Sequence, residues 1–320
     1  MNNKEAYIEL CELENSICIY DQPWWLDVIC GSENWDVVIY EKNGNILGAL
    51  PYYFKSKYGI KYISQPMFTQ HNGIWIKYKD NMVESKKISY EKEVVYALLS
   101  EIEGKGFAFY QQAQSPSLRN WLPFYWKGYN DSTRYTYRLN DISDPMALFS
   151  GFQSNKRKNI KKAIKAGYEV KFDISAKDFY ELHKRSLEKQ GKTIFYSFEL
   201  FEKMVTTAYK HNSGRTAYID CEGEMMCALF NLWDQQFGYN LISAINPETR
   251  NTGAPDLLVY SMIQFCSNKV KGYDFEGSMI EGVEESFRHF GATQTPYFFI
   301  YKCYTNNPII KWAINRKLRR

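Results

Sequence analysis

The chain has 320 residues, 45% hydrophobic and 24% charged, which is enough apolar material for two globular domains and too much for a disordered chain. A net charge of +4 argues against a general nucleic-acid binder, and seven scattered cysteines, with no CxxC pair and no histidine at ligand spacing, point to reduced thiols and no metal site. No run approaches the roughly 20 apolar residues that cross a bilayer, and the polar start MNNKEAYIEL lacks the layout of a secretory signal, so the chain is expected in the cytoplasm.

In chain order, QPWWLDVIC predicts a helix. DVVIYEKNGNILGALPYYF then predicts two antiparallel strands turning at Asn43-Gly44, and a third strand spans Gly59 to Ser64. His71, in TQHNG, is a candidate acceptor contact or a structural loop histidine. The helix EKEVVYALLSEIEGKG and a returning strand complete the first half. Next, SNKRKNIKKAIKAGY reads as a helix ended by Gly167, with Ile160, Ala163 and Ile164 on one face and Lys156, Arg157 and Lys161 among its cations. Such a cluster offers a grip for phosphates, or is a solvated basic face.

The second half repeats the first. Two helices, KDFYELHKRSLEKQ and SFELFEKMVTTAYKHN, precede TAYIDCEGEMMCALFNLW and FGYNLIS, then the helix PDLLVYSMIQFCSNKV. Placing Val37 on Thr216, an offset of 179 residues, aligns Val37–Ser64 without a gap and puts Gly44 on Gly223, Leu50 on Leu229 and Ser64 on Ser243. Gln190, in EKQGK, is placed either to bond an acceptor or to end a helix before Gly191. After a strand through Phe275, Glu276, Ser278, Glu281 and Arg288 gather in a loop and short helix. That is a setting for proton transfer, or an amphipathic helix with exposed charges. The tail NNPIIKWAINRKLRR combines Ile309, Ile310, Trp312 and Ile314 with basic residues, as an interfacial helix or a packed helix with a basic end.

Taken together, the basic helix SNKRKNIKKAIKAGYEV, the late element FRHFGA, and QPWW followed by ILGALPYYF and HNG resemble the Fem-like acyltransferases of the GCN5-related N-acetyltransferase (GNAT) superfamily. The resemblance implies an α+β chain of two tandem GNAT-like domains, with mixed, largely antiparallel sheets flanked by helices, sharing a central cleft. The expected bounds are 1–150, then 151–305 including the basic helix, then a tail over 306–320. It further implies acyl transfer to an amine of a cell-envelope or polysaccharide precursor, with Lys156, Arg157 and Lys161 on phosphates of a small or carrier-linked acceptor. Phe287, Arg288, Phe290 and Gly291 match the late motif, whose lysine is replaced here by Arg288. RNTGAP approaches the acetyl-CoA pyrophosphate signature, which makes Arg250 and Gly253 candidate donor-binding residues and acyl-CoA the expected donor; a plain helix start explains the same run.

The expected mechanism is direct attack by the amine. Arg288 stabilises the oxyanion, Glu276 or Glu281 takes the proton, and His71, Gln190 and Ser278 contact substrate. A tRNA-dependent peptidoglycan transferase and a non-catalytic double-GNAT binding module are the alternatives. A lipid-linked acceptor would place the tail against the inner face of the membrane.

Overall fold

In the computed structural model the described residues are 2–308 together with Lys311 and Trp312. Ile309, Ile310 and Ile314, and with them most of the basic tail, lie outside the described residues. The chain divides into two units, one built from Met1–Arg134 and Pro296–Arg320, the other from Tyr135–Thr295.

The first unit contains α1 (Asn3–Leu13), α2 (Pro23–Cys30), β1 (Trp35–Lys42), β2 (Asn45–Lys57), β3 (Ile60–Ser64), β4 (Trp75–Ile76), α3 (Glu84–Gly104), β5 (Phe109–Ala113) and α4 (Leu122–Trp126). Strand β6 (Asn130–Leu139) leads into the second unit, with α5 (Pro145–Gly151), α6 (Ser154–Lys165), β7 (Lys171–Phe172), α7 (Ala176–Glu188) and α8 (Phe198–Lys210). There follow β8 (Gly214–Cys221), β9 (Glu224–Trp233), β10 (Phe237–Ile245), α9 (Ala254–Ser267), β11 (Gly272–Asp274) and α10 (Glu281–Arg288), and β12 (Thr293–Cys303) returns the chain to the first unit. The division falls inside two strands because the end of β6 pairs with β11 (Leu139 opposite Tyr273) while the end of β12 pairs with β5 (Phe299 opposite Ala113). The basic helix α6 packs wholly within the second unit, against α9.

The 179-residue repeat is structural. Strand β1 maps onto β8 residue for residue, and the register slips at the same place in both hairpins, between Tyr40 and Glu41 and between Ile219 and Asp220. Each hairpin turns through two residues at positive φ, Asn43 (54°) and Gly44 (74°), then Glu222 (51°) and Gly223 (82°), the geometry that matches the twist of paired strands. In the first unit Val94, Val95, Leu98, Leu99 and Ile102 of α3 close the core over Leu50 and Ile63. In the second, β9 is buried from Met226 to Trp233. Such a run needs cover on both faces. Leu229 joins the core with Leu257 and Leu258 of α9, while Phe230 meets the ring of Phe201 on α8 edge-on at 6.0 Å. Among the described residues no helix is long and apolar enough to cross a membrane.

Candidate active site

The second unit holds a cavity of about 890 Å³ between α7, β9, β10, the start of α9 and the segment from Phe275 to Phe290. It opens where two strands part. Parallel β10 and β11 are paired only from Phe237 opposite Gly272 to Tyr239 opposite Asp274, after which β11 ends and β10 runs on to Ile245. On its other side β10 bulges against β9, and the register passes from Asn240 to Ile242. Leu241 lines the cavity at that bulge.

Glu276 enters the cavity from the loop after β11. Its conformation is left-handed (φ 65°), and Asp274 holds it there: Oδ1 accepts the Glu276 N–H at 2.7 Å and the Thr136 hydroxyl, and Oδ2 accepts from Arg138 Nε at 2.6 Å. Gly277 completes the turn, because a Cβ there would lie 2.2 Å from the Tyr135 carbonyl oxygen. Part of Glu276 remains exposed, but Oε1 is sealed from solvent with no hydrogen-bond partner, and burial pushes the carboxyl well above the usual carboxylate range. A carboxyl raised by burial and lining a cavity is a candidate for proton exchange.

The other expected site residues divide. Lys156, Gln190, Arg250, Phe287 and Phe290 line the cavity. Lys156 is buried, however, and its ammonium donates to Asp256 Oδ1 at 2.6 Å and Ser286 Oγ at 2.8 Å, above the Phe290 ring. It ties α6, α9 and α10 together and offers no open phosphate grip. Arg157 donates to the carbonyls of Ser150 (2.5 Å) and Phe152 (2.9 Å), capping the end of α5. Lys161 is exposed and outside the cavity. Gln190 donates back to the Ser186 carbonyl at 3.0 Å, so it both ends α7 and faces the cavity.

Arg288, expected at the oxyanion, does not line this cavity. Ser286 and Phe287 face the cavity, and the next residue on a helix turns away, so Arg288 is exposed and pairs with Glu284 at 3.0 Å. Glu281 is exposed at the start of α10, and Ser278 Oγ accepts the Ile280 N–H at 3.0 Å; neither lines the cavity. His71 is buried in the first unit, edge-on to Tyr20 at 5.4 Å.

Nor does the start of α9 fit a diphosphate. A Cβ at Gly253 (φ 89°) would lie 2.2 Å from the Asn159 carbonyl oxygen, so this glycine admits α6 rather than a ligand. Pro255 lacks an N–H, and Asp256 brings a carboxylate into the first turn, where it accepts from Asn159 Nδ2 at 2.8 Å as well as from Lys156. Of that motif Arg250, Asn251 and Pro255 line the cavity, and Arg250 is its one cation.

His183 on α7 lines the same cavity and was not visible from the sequence as a site residue; its Nδ1 meets the Tyr196 hydroxyl at 2.5 Å. Burial lowers its pKa from 6.5 to about 4. A histidine folded as the neutral form contributes full stability above its unfolded pKa and loses it on acidification, because the unfolded chain binds the proton first. Between pH 6.5 and pH 4 His183 should therefore cost about 3 kcal/mol. Urea unfolding at the two pH values should show that loss in the native chain and a smaller one in His183→Gln.

Residues 151–286 match the model of the acetyltransferase (GNAT) domain. The fold is similar to that of FemX (TM-score 0.72, 12% identity, 98% of each chain) and of L-PGS from Bacillus licheniformis (TM-score 0.55, 12% identity, 98% of this chain and 95% of that one). It is also similar to a tandem GNAT protein from the clavulanic acid biosynthesis pathway (TM-score 0.50, 10% identity, 95% and 96%). No curated protein matches the sequence. The GNAT-domain match lies within the second unit, and it is to a domain family that generally binds acyl-CoA. Over the whole chain the likeness is one of fold, that of the tandem, Fem-like GNAT proteins.

Proposed function

We propose that this chain transfers an acyl group from a thioester or ester donor to the amine of a carrier-linked cell-envelope or polysaccharide precursor, and that the chemistry takes place in the cavity of the second unit. The observation that carries this reading is Glu276, which lines the cavity beside the parted strands β10 and β11 with its Oε1 buried and unpartnered. The donor carbonyl lies along β10 and accepts a hydrogen bond from the backbone N–H of Leu241 at the bulge. The amine attacks the carbonyl carbon and passes a proton to Glu276, the carbon–sulfur or carbon–oxygen bond breaks, and Glu276 returns the proton to the leaving group. Positioning and electrostatics supply the rate, with no covalent enzyme intermediate. Arg250 and Lys192, both exposed and both lining the cavity, are assigned to phosphates of the carrier.

Because α6 closes the start of α9, the nucleotide of acyl-CoA gains little there. Calorimetric titration should give acyl-CoA and acyl-pantetheine affinities within about tenfold of each other, a factor worth 1.4 kcal/mol. A hundredfold preference for acyl-CoA, abolished in Arg250→Ala, would assign the nucleotide a site around Arg250. The closed helix start and the exposed Lys158, Lys161 and Lys165 of α6 also favour a second reading of the donor, an aminoacyl ester on tRNA. Salt-dependent binding of tRNA that competes with acyl-pantetheine would select it.

A further inference from the structure

Glu276 accounts for the amine proton but leaves the oxygen of the reacting carbonyl with a single backbone donor. The rest of the cavity wall offers several candidates for a second. Lys156 is committed to Asp256 and Ser286 and Arg288 lies outside, so neither serves. Gln190 spends its amide on the Ser186 carbonyl. His183 remains. It projects from α7, in the third turn of a helix whose Phe179, Leu182 and Ser186 are buried, and it lines the cavity that also holds Glu276.

From this arrangement we infer that His183 is a second catalytic group, a neutral imidazole whose Nε2–H donates to the developing oxyanion. The inference rests on the acyl-transfer reading given above. Two observations fix the ring. Nδ1 meets the Tyr196 hydroxyl at 2.5 Å, and Tyr196 sits in a cage of aromatic rings, with Tyr180 at 5.7 Å and Phe201 at 5.9 Å, that holds it in place. A phenol is a better donor than acceptor, and the bare ring nitrogen of an imidazole is a strong acceptor. Tyr196 therefore donates to Nδ1 and the ring proton resides on Nε2. Nε2 has no protein partner, and the cavity is the space that His183 faces.

Burial supports the role, because it keeps the ring uncharged through the neutral range, so that it donates a hydrogen bond without giving up the proton. In the step itself the amine nitrogen bonds to the carbonyl carbon, and its proton goes to Glu276. The oxyanion is held by Nε2–H until the carbonyl re-forms, and the leaving atom departs with the bonding pair and collects the proton from Glu276. His183 ends the cycle unchanged. Glu276 and His183 thus divide the work, one moving the proton and the other bearing the charge.

Nitrogen NMR of the full chain at neutral pH reads the first half of the inference directly: His183 is expected as the Nε2–H tautomer, shifting toward a mixture of tautomers in Tyr196→Phe. An Nδ1–H ring or a charged one in the native chain overturns it. Kinetics read the second half, with an acyl-pantetheine donor and a primary amine acceptor. His183→Ala should lower kcat about a hundredfold or more with the KM of the donor within about threefold, and His183→Gln, which restores an N–H donor, should recover part of the loss. Glu276→Gln assayed alongside separates the two claims. Turnover lost in Glu276→Gln but kept in His183→Ala removes His183 and leaves the acyl-transfer site standing. Turnover kept in both removes the site, and with it the role of His183.

Discussion

Glu276→Gln is expected to lower turnover by about 10²–10⁴-fold, the range for loss of a positioned proton acceptor, and at neutral pH to make the protein more stable. The two effects have one cause. Burial raises the folded carboxyl above its unfolded value, so the folded state holds the proton more tightly, and stability falls as pH rises through the ordinary carboxylate range. At neutral pH the native chain carries that cost, together with the cost of an acceptor atom that has no partner. Replacing the acid with an amide of the same shape relieves much of it. The gain is on the order of 1–2 kcal/mol, or a rise in Tm of roughly 2–8 °C for a domain of this size. A residue serving the fold would behave in the opposite way. Thermal unfolding of Glu276→Gln at neutral pH checks this, and a fall in Tm would mean that the carboxylate has a stabilising partner in solution.

Asp274→Ala should be the most damaging single change in the site. Asp274 is fully buried and accepts from Thr136, Arg138 and the N–H of Glu276, so its removal leaves the Arg138 guanidinium, itself only 11% exposed, without its carboxylate. Breaking a buried ion pair from one side costs about 3–5 kcal/mol, which corresponds to a fall in Tm of roughly 6–20 °C. Asp274→Asn keeps an acceptor for the Glu276 N–H and should lose less stability while still slowing turnover, since the neutral side chain holds Arg138 poorly. Calorimetry on the two variants gives the order directly. If Asn and Ala cost the same, the ion pair rather than the turn is what Asp274 maintains.

Much of the fold was legible because the signals were periodic and local. The hairpin turns, the apolar strands and the spacing of Val94, Leu98 and Ile102 declare themselves in sequence, and the 179-residue repeat predicted the meander of the second unit from that of the first. The site was legible only where chemistry and geometry coincide at one residue. Glu276 was singled out for its company of charged residues and glycines, and it faces the cavity. Arg288 was singled out for the same reason, and it does not. The difference is one of helical phase: the expected late motif fixes which residues are adjacent in sequence, while the phase of an eight-residue helix decides which of them turn inward.

Lys156 and Arg157 show a related effect. A basic run reads as a phosphate grip until the structure supplies Asp256 and the end of α5 as internal partners, a hundred and seven residues away respectively in sequence. Gly253 belongs to the same group, since a glycine that lets a ligand approach and one that lets a helix approach are identical in sequence. Asp274, Leu241 and His183 were not found at all. Asp274 looked like part of a strand, the bulge at Leu241 has no composition of its own, and His183 acquires meaning only from Tyr196, which reaches it from the far side of a loop.

The most direct test of the account is a side-by-side measurement of turnover, with one acyl thioester and one primary amine, in Glu276→Gln, Glu281→Gln and Arg288→Ala. The geometry predicts that Glu276→Gln alone falls by two or more orders of magnitude and that the two exposed positions stay within a few-fold of the native chain. Retained turnover in Glu276→Gln with loss in Arg288→Ala would contradict it, and would move the chemistry from the cavity to the outer face of α10.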